Sequence, residues 1–222
     1  MFRRLVLIVL ALALTPAVAS ADSVDFGFTG GTLSLSGGGL TSGGSPSALT
    51  TVDKNPTPPS PDFAGILGSF ALTTGAASGS LALTTIGSST TLAGGGSILV
   101  TANGSWGSIA SGTTIFSGAF SGPVTWTLTT IVGSNYFYNL TGNVTGTLDQ
   151  ALVNLLFSGC GTCNSASGSL FTLNISSTGA FSGAASIQSG NMAVVVPEPG
   201  TLALFGSGLI GIAGLIRRKM AA

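Results

Sequence analysis

Through long stretches of this chain, apolar and hydroxyl-bearing side chains alternate one for one. Val124, Trp126 and Leu128 fall on one face of an extended segment, while Thr125, Thr127 and Thr129 fall on the other. Tyr136, Tyr138, Leu140 and Val144 oppose Asn139, Thr141, Asn143 and Thr145, with Phe137 out of phase; Phe171, Leu173 and Ile175 oppose Thr172 and Asn174. Successive side chains point to opposite faces only in a strand, so a period of two is a strand signal. Leu81 with Leu83, Ile98 with Val100, and Ile115 with Phe116 and Phe120 suggest further strands. Gly94-Gly95-Gly96, Asn103-Gly104, Gly122-Pro123 and Gly133-Ser134 supply the turns between them. The pattern predicts an all-β body over residues 63–193, an antiparallel β-sandwich or barrel-like domain with one face wetted by Thr and Ser. That length suffices for one domain with a true core. Residues 149–157 alone read as a brief helix. Residues 22–62 hold short alternating pieces, such as Thr32–Ser36, then a Gly/Ser stretch that runs into a Pro-rich linker.

Charge is what this chain lacks. Asp, Glu, Lys and Arg make up 5% of it, the net charge is zero and there is no histidine. A soluble domain carries about 25% charged residues. Without His, a Ser-His-Asp or Cys-His nucleophile system cannot be assembled. His-containing zinc sites are excluded, and two cysteines cannot supply four thiolates. Six cations, five of them near the chain ends, do not make a nucleic-acid surface. A hydrophobic content of 44% and a mean hydropathy of +0.63 also sit badly with a disordered chain.

Little chemistry remains. Cys160-Gly161-Thr162-Cys163 reads as a disulfide stapling a Gly-rich turn, since a redox-active C-x-x-C usually sits in a βαβ context that this chain lacks. Asp22, Asp25, Asp53 and Asp62 cluster early without the spacing of a calcium loop and read as solvated charges. Trp106, Trp126, Tyr136 and Tyr138 are a platform for sugars if exposed and core if buried. Scarce charge leaves strand edges poorly guarded, which predicts self-association. No metal, no cofactor and no catalytic residue is expected.

The two ends read as targeting devices. Residues 1–21 have the plan of a signal peptide. Arg3 and Arg4 precede the apolar run Leu5–Leu14, Pro16 ends it, and Ala19 and Ala21 are the small residues at the cleavage position. Export would place the body in a disulfide-permissive compartment. At the other end, residues 194–222 combine Pro197-Glu198-Pro199-Gly200, a charge-free run from Thr201 to Ile216, and the basic group Arg217-Arg218-Lys219. Two prolines one residue apart force extended backbone that an enzyme can bind as a strand. The run is long enough for a short transmembrane helix. The three cations would act as the membrane stop and keep the last residues cytoplasmic.

This order of motif, apolar helix and basic end resembles the PEP-CTERM sorting signal. The phrase Val196-Pro197-Glu198-Pro199-Gly200-Thr201-Leu202-Ala203-Leu204 is very close to the family pattern. The resemblance spans about the last 25 residues and implies export across the inner membrane. It implies recognition by a membrane-embedded, exosortase-type processing enzyme that cuts at or near the motif. It also implies a link to extracellular polysaccharide and biofilm matrix. Pro197, Glu198, Pro199 and Gly200 would then be recognition residues of a substrate. The expectation for the whole chain is a non-catalytic exported protein, held at the membrane by its tail and then processed. The alternatives are a carbohydrate-binding or adhesive module on the same anchor, or a simple single-pass anchored protein without processing.

Overall fold

A computed structural model describes residues 22–43, 47–54, 61–157 and 163–196. Its strands are β1 (Asp22–Thr29), β2 (Thr32–Ser36), β3 (Gly39–Ser42), β4 (Ser47–Lys54), β5 (Phe63–Thr73), β6 (Ser89–Leu92), β7 (Gly95–Ala102), β8 (Thr114–Phe120), β9 (Val124–Val132), β10 (Asn135–Leu148), β11 (Ser165–Thr178) and β12 (Ala184–Val196). One helix, α1 (Gln150–Leu156), falls between β10 and β11. The circuit β12-β1-β4-β5-β7-β8-β10-β11 is antiparallel throughout and closes, because β11 pairs with both β10 and β12. Of the two architectures expected, the body is therefore an eight-stranded barrel.

The alternating residues form its wall. Val24, Phe26 and Phe28 of β1 turn inward, as do Tyr138, Leu140 and Val144 of β10 and Phe171, Leu173 and Ile175 of β11. Strands β1 and β8 stand opposite each other in the circuit, as do β5 and β11. Rings from these opposed strands meet across the bore. Phe26 and Phe116 lie 6.3 Å apart between centroids, and Phe70 and Phe171 lie 5.6 Å apart. Phe28 stacks on Phe70 at 4.3 Å, and Phe120 meets Phe171 edge-on at 5.4 Å. Small barrels are filled by side chains in this way.

Glycine makes room for these rings. Gly118 and Gly146 are partners across β8 and β10. A Cβ on either would come within 2.8 Å of the Phe116 ring, and one on Gly142 within 2.9 Å of the Phe120 ring. These three glycines are thus the small half of a large-against-small packing inside the wall.

At one end of the barrel β1, β5, β8 and β11 begin and β4, β7, β10 and β12 finish. Helix α1 belongs to this end. Asp149 is its N-cap, accepting from the Ala151 N–H at 2.8 Å, and Leu152 and Val153 are buried. The expected brief helix is therefore present. The Lys54 ammonium, at the end of β4, sits 4.7 Å over the ring of Phe157 just past the helix.

The opposite end holds a second aromatic group. Trp126 stacks on Tyr138 at 4.6 Å and meets Phe181 edge-on at 5.4 Å. The Trp126 indole N–H donates to the Leu81 carbonyl at 3.0 Å, and the Tyr138 hydroxyl accepts from the Phe181 N–H at 2.9 Å. Leu81 and Leu83, expected in a strand, lie instead in the connection between β5 and β6 that covers these rings.

Two expected boundaries differ. Residues 22–54 do not precede the barrel but supply β1 and β4, two of its strands, so the body does not begin at 63. The body also does not stop at 193, because β12 runs to Val196 with Val194 and Val196 buried in the core. The assignment of 194–196 to the C-terminal targeting segment is thereby corrected; those valines pair with β1. The signal segment 1–21, the Pro-rich run 55–60 and the apolar run from Thr201 lie outside the described residues. Among the described residues no helix is long and apolar enough to cross a membrane.

Candidate sorting junction

The place where the folded body meets the C-terminal motif is the pairing of the barrel's first strand with its last. Asp22 is opposite Val196, Ser23 opposite Val195, Val24 opposite Val194 and Asp25 opposite Ala193. Val24, Val194 and Val196 point into the core and are at most 1% exposed. The strand thus carries the last buried side chain of the barrel up to the residue before Pro197. Position 22, the expected mature start, and position 196, the last before the motif, are held side by side at the α1 end.

The outer side of this junction is polar. Asp25 Oδ1 accepts a hydrogen bond from Asn191 Nδ2 across the β1–β12 pair. Asp53 of β4 is opposite Asp25 on its other flank. Half-burial of Asp25 pushes its carboxyl above the usual carboxylate value; the Asn191 donation pulls it back, and the neighbouring Asp53 charge pushes it further up. Asp62 Oδ2 accepts from the Lys54 backbone N–H at 2.8 Å, tying the start of β5 to the end of β4. Asp149 is occupied as the helix cap. These carboxylates serve edges and caps of the barrel. Among the described residues no group of three His, Cys, Asp or Glu side chains is placed to hold a metal.

Cys163 is disulfide-bonded and 4% exposed. The sequence has one other cysteine, Cys160, which lies outside the described residues, as do Ala19, Ala21, Pro197, Glu198, Pro199, Gly200, Arg217, Arg218 and Lys219. Next to Cys163, the Asn164 carbonyl accepts from the Leu148 N–H at 2.7 Å, which sets the chain into β11.

The four aromatics considered as a sugar platform do not form an exposed row. Trp126 and Tyr138 are at most 1% exposed, and Trp106 and Tyr136 are half-buried against the same core. The Trp106 indole N–H donates to the Leu67 carbonyl at 3.1 Å, and its ring lies 4.9 Å from Phe63.

Sequence reasoning missed the β1–β12 pairing. Its signal is weak because β12 changes phase: Ala185 and Ile187 are buried at odd positions, then Met192, Val194 and Val196 at even ones. The register shift against β11 between Asn174 and Ile175 marks the bulge responsible.

No curated protein and no solved structure matches the chain. Residues 195–219 match the family described as the PEP-CTERM protein-sorting motif. The match begins on Val195 and Val196, inside β12. The chain therefore carries a PEP-CTERM sorting motif, joined without an intervening linker to the closing strand of a β-barrel.

Proposed function

We propose that this protein is a non-catalytic barrel exported as cargo. Its C-terminal signal holds it at the membrane until an exosortase-type enzyme cuts at or near Pro197-Glu198-Pro199 and releases the body toward the cell surface or a polysaccharide matrix. The observation that carries this reading is the motif match at 195–219, which makes the chain an exported, membrane-anchored substrate for processing. The non-catalytic part is supported by the filled bore. Rings from opposed strands meet across it, and Asp25, Asp62 and Asp149 accept hydrogen bonds on the wall and at the helix cap. A surface of Thr, Ser and Asn with few charges suits a hydrated neutral polymer, since it brings little electrostatic self-repulsion.

The test is the intact mass of the mature protein from cells with and without the processing enzyme. Loss of the residues beyond the motif only in the competent cells is the expected result, and Glu198→Gln should slow that loss. A full-length tail in both strains would leave a single-pass anchored protein and end the processing reading.

A further inference from the structure

We propose that the α1 end of the barrel is a bilayer-contact surface, with Ile66 and Trp106 seated among lipid headgroups while the opposite end faces away. The proposal rests on the membrane-anchored reading above and adds to it a defined contact face.

Chain length supplies the first argument. The last residue of β12 is Val196, and the apolar run begins at Thr201. An extended chain spans at most about 3.5 Å per residue, so five steps reach roughly 18 Å. An anchored tail therefore keeps the strand end that carries Val196 close to the membrane surface. The same end presents Asp22, the residue that follows the N-terminal segment 1–21 in the sequence.

The second argument is what that end exposes. Ile66 is 81% exposed, the most exposed large apolar side chain among the described residues. It stands on a bulge of β5 between Ala64, opposite Thr51, and Gly68, opposite Leu49, and Gly65 beside it takes φ 125°. Ala64 and Gly65 are exposed too. The carbonyl of the next residue, Leu67, receives the indole N–H of Trp106, which stands in the connection between β7 and β8 at the α1 end. An exposed aliphatic side chain beside a half-buried indole is the pairing that suits the membrane–water interface. Among the described residues this end also carries Asp22, Asp25, Asp53, Asp62 and Asp149 against the single cation Lys54, so the contact is apolar in origin and favours uncharged headgroups.

The experiment uses the full chain reconstituted in phosphatidylcholine vesicles, with an environment-sensitive fluorophore on Ala64→Cys or, at the far end, on Ile86→Cys. Ile86 is 56% exposed and lies in the connection over Trp126. Co-flotation with the vesicles is measured first. The expected result is co-flotation for both variants, with quenching by the neutral aqueous quencher acrylamide several-fold weaker at position 64 than at 86. Ile66→Asp should restore quenching at 64 without loss of co-flotation, and adding anionic lipid should raise it. Co-flotation with equal quenching at the two positions, or stronger shielding when anionic lipid is added, overturns this proposal alone. Failure to co-float overturns the anchored reading and the proposal together.

Discussion

Every charged side chain of the described residues lies at or near the end of the barrel where the chain enters and leaves: Asp22, Asp25, Asp53, Lys54, Asp62 and Asp149. The opposite end has none. It is closed by Trp126, Tyr138 and Phe181 under a connection whose carbonyls accept from the ring N–H and O–H groups. The two ends solve the same problem, covering an open ring of strands, with different chemistry. The charged end uses a capped helix and side chains that tie backbone edges together. The uncharged end uses aromatic area and neutral hydrogen bonds. The end with charges is also the one that holds positions 22 and 196 side by side.

The largest expected effect tests that register. A body comprising residues 22–196 should unfold in one cooperative thermal transition followed by circular dichroism. A body ending at Ser189 loses the buried Met192, Val194 and Val196 and leaves most of β1 without its partner. Removal of several core side chains and of one ladder of a closed barrel exceeds the roughly 5–15 kcal/mol that holds a domain together. That chain should show no cooperative transition. A cooperative transition in the shorter chain would mean that the charged end is not where the barrel is closed.

The uncharged end should respond more mildly and locally. Trp126→Phe keeps most of the ring stacked on Tyr138 but removes one of the two donors to the Leu81 carbonyl, which keeps the Leu83 N–H at 3.0 Å. Losing one such hydrogen bond costs about 0.5–1.5 kcal/mol. Urea unfolding should shift by that amount, and hydrogen exchange should quicken in residues 79–88 before it quickens in β1 or β12. Equal quickening at both ends would break the comparison, since it would mean that the ends are not separate closures.

How much of this was legible follows from where the period of two survives. It survives in β9 from Val124 to Leu128 and in β10 at Tyr138, Leu140 and Val144, and there the inward side chains are readable one by one. It fails in β5 and β12, where bulges shift the phase, and β12 is the strand that matters most to the motif. Leu81 and Leu83 show the opposite error: they alternate like a strand but are held by side-chain donors from Trp126 and Tyr138. Gly118, Gly142 and Gly146 were unreadable as core, because a residue without a side chain carries no periodic signal. The motif was legible because its chemistry is local: two prolines, an acid, an apolar run and cations in a fixed order. Barrel closure was not, since it joins residues at opposite ends of the sequence.

The smallest effect concerns Asp25, on the outer side of the junction. Its carboxyl binds a proton more tightly in the folded barrel than the ordinary 3.8, with burial as the first cause. The sign then follows from linkage: the folded state holds more protons than the unfolded one as pH rises past the ordinary value, so stability falls across that window and stays lower above it. Asp25→Asn removes the charge yet keeps an oxygen for the Asn191 donor and removes the opposition of Asp53. The variant should unfold at higher urea than the parent at pH 7, with the difference closing as pH is lowered below the ordinary carboxylate value. A deficit at pH 7 would show that the charged bond from Asn191 outweighs the cost of burial. The charged end would then draw net stability from that carboxylate, and its contrast with the uncharged end would sharpen.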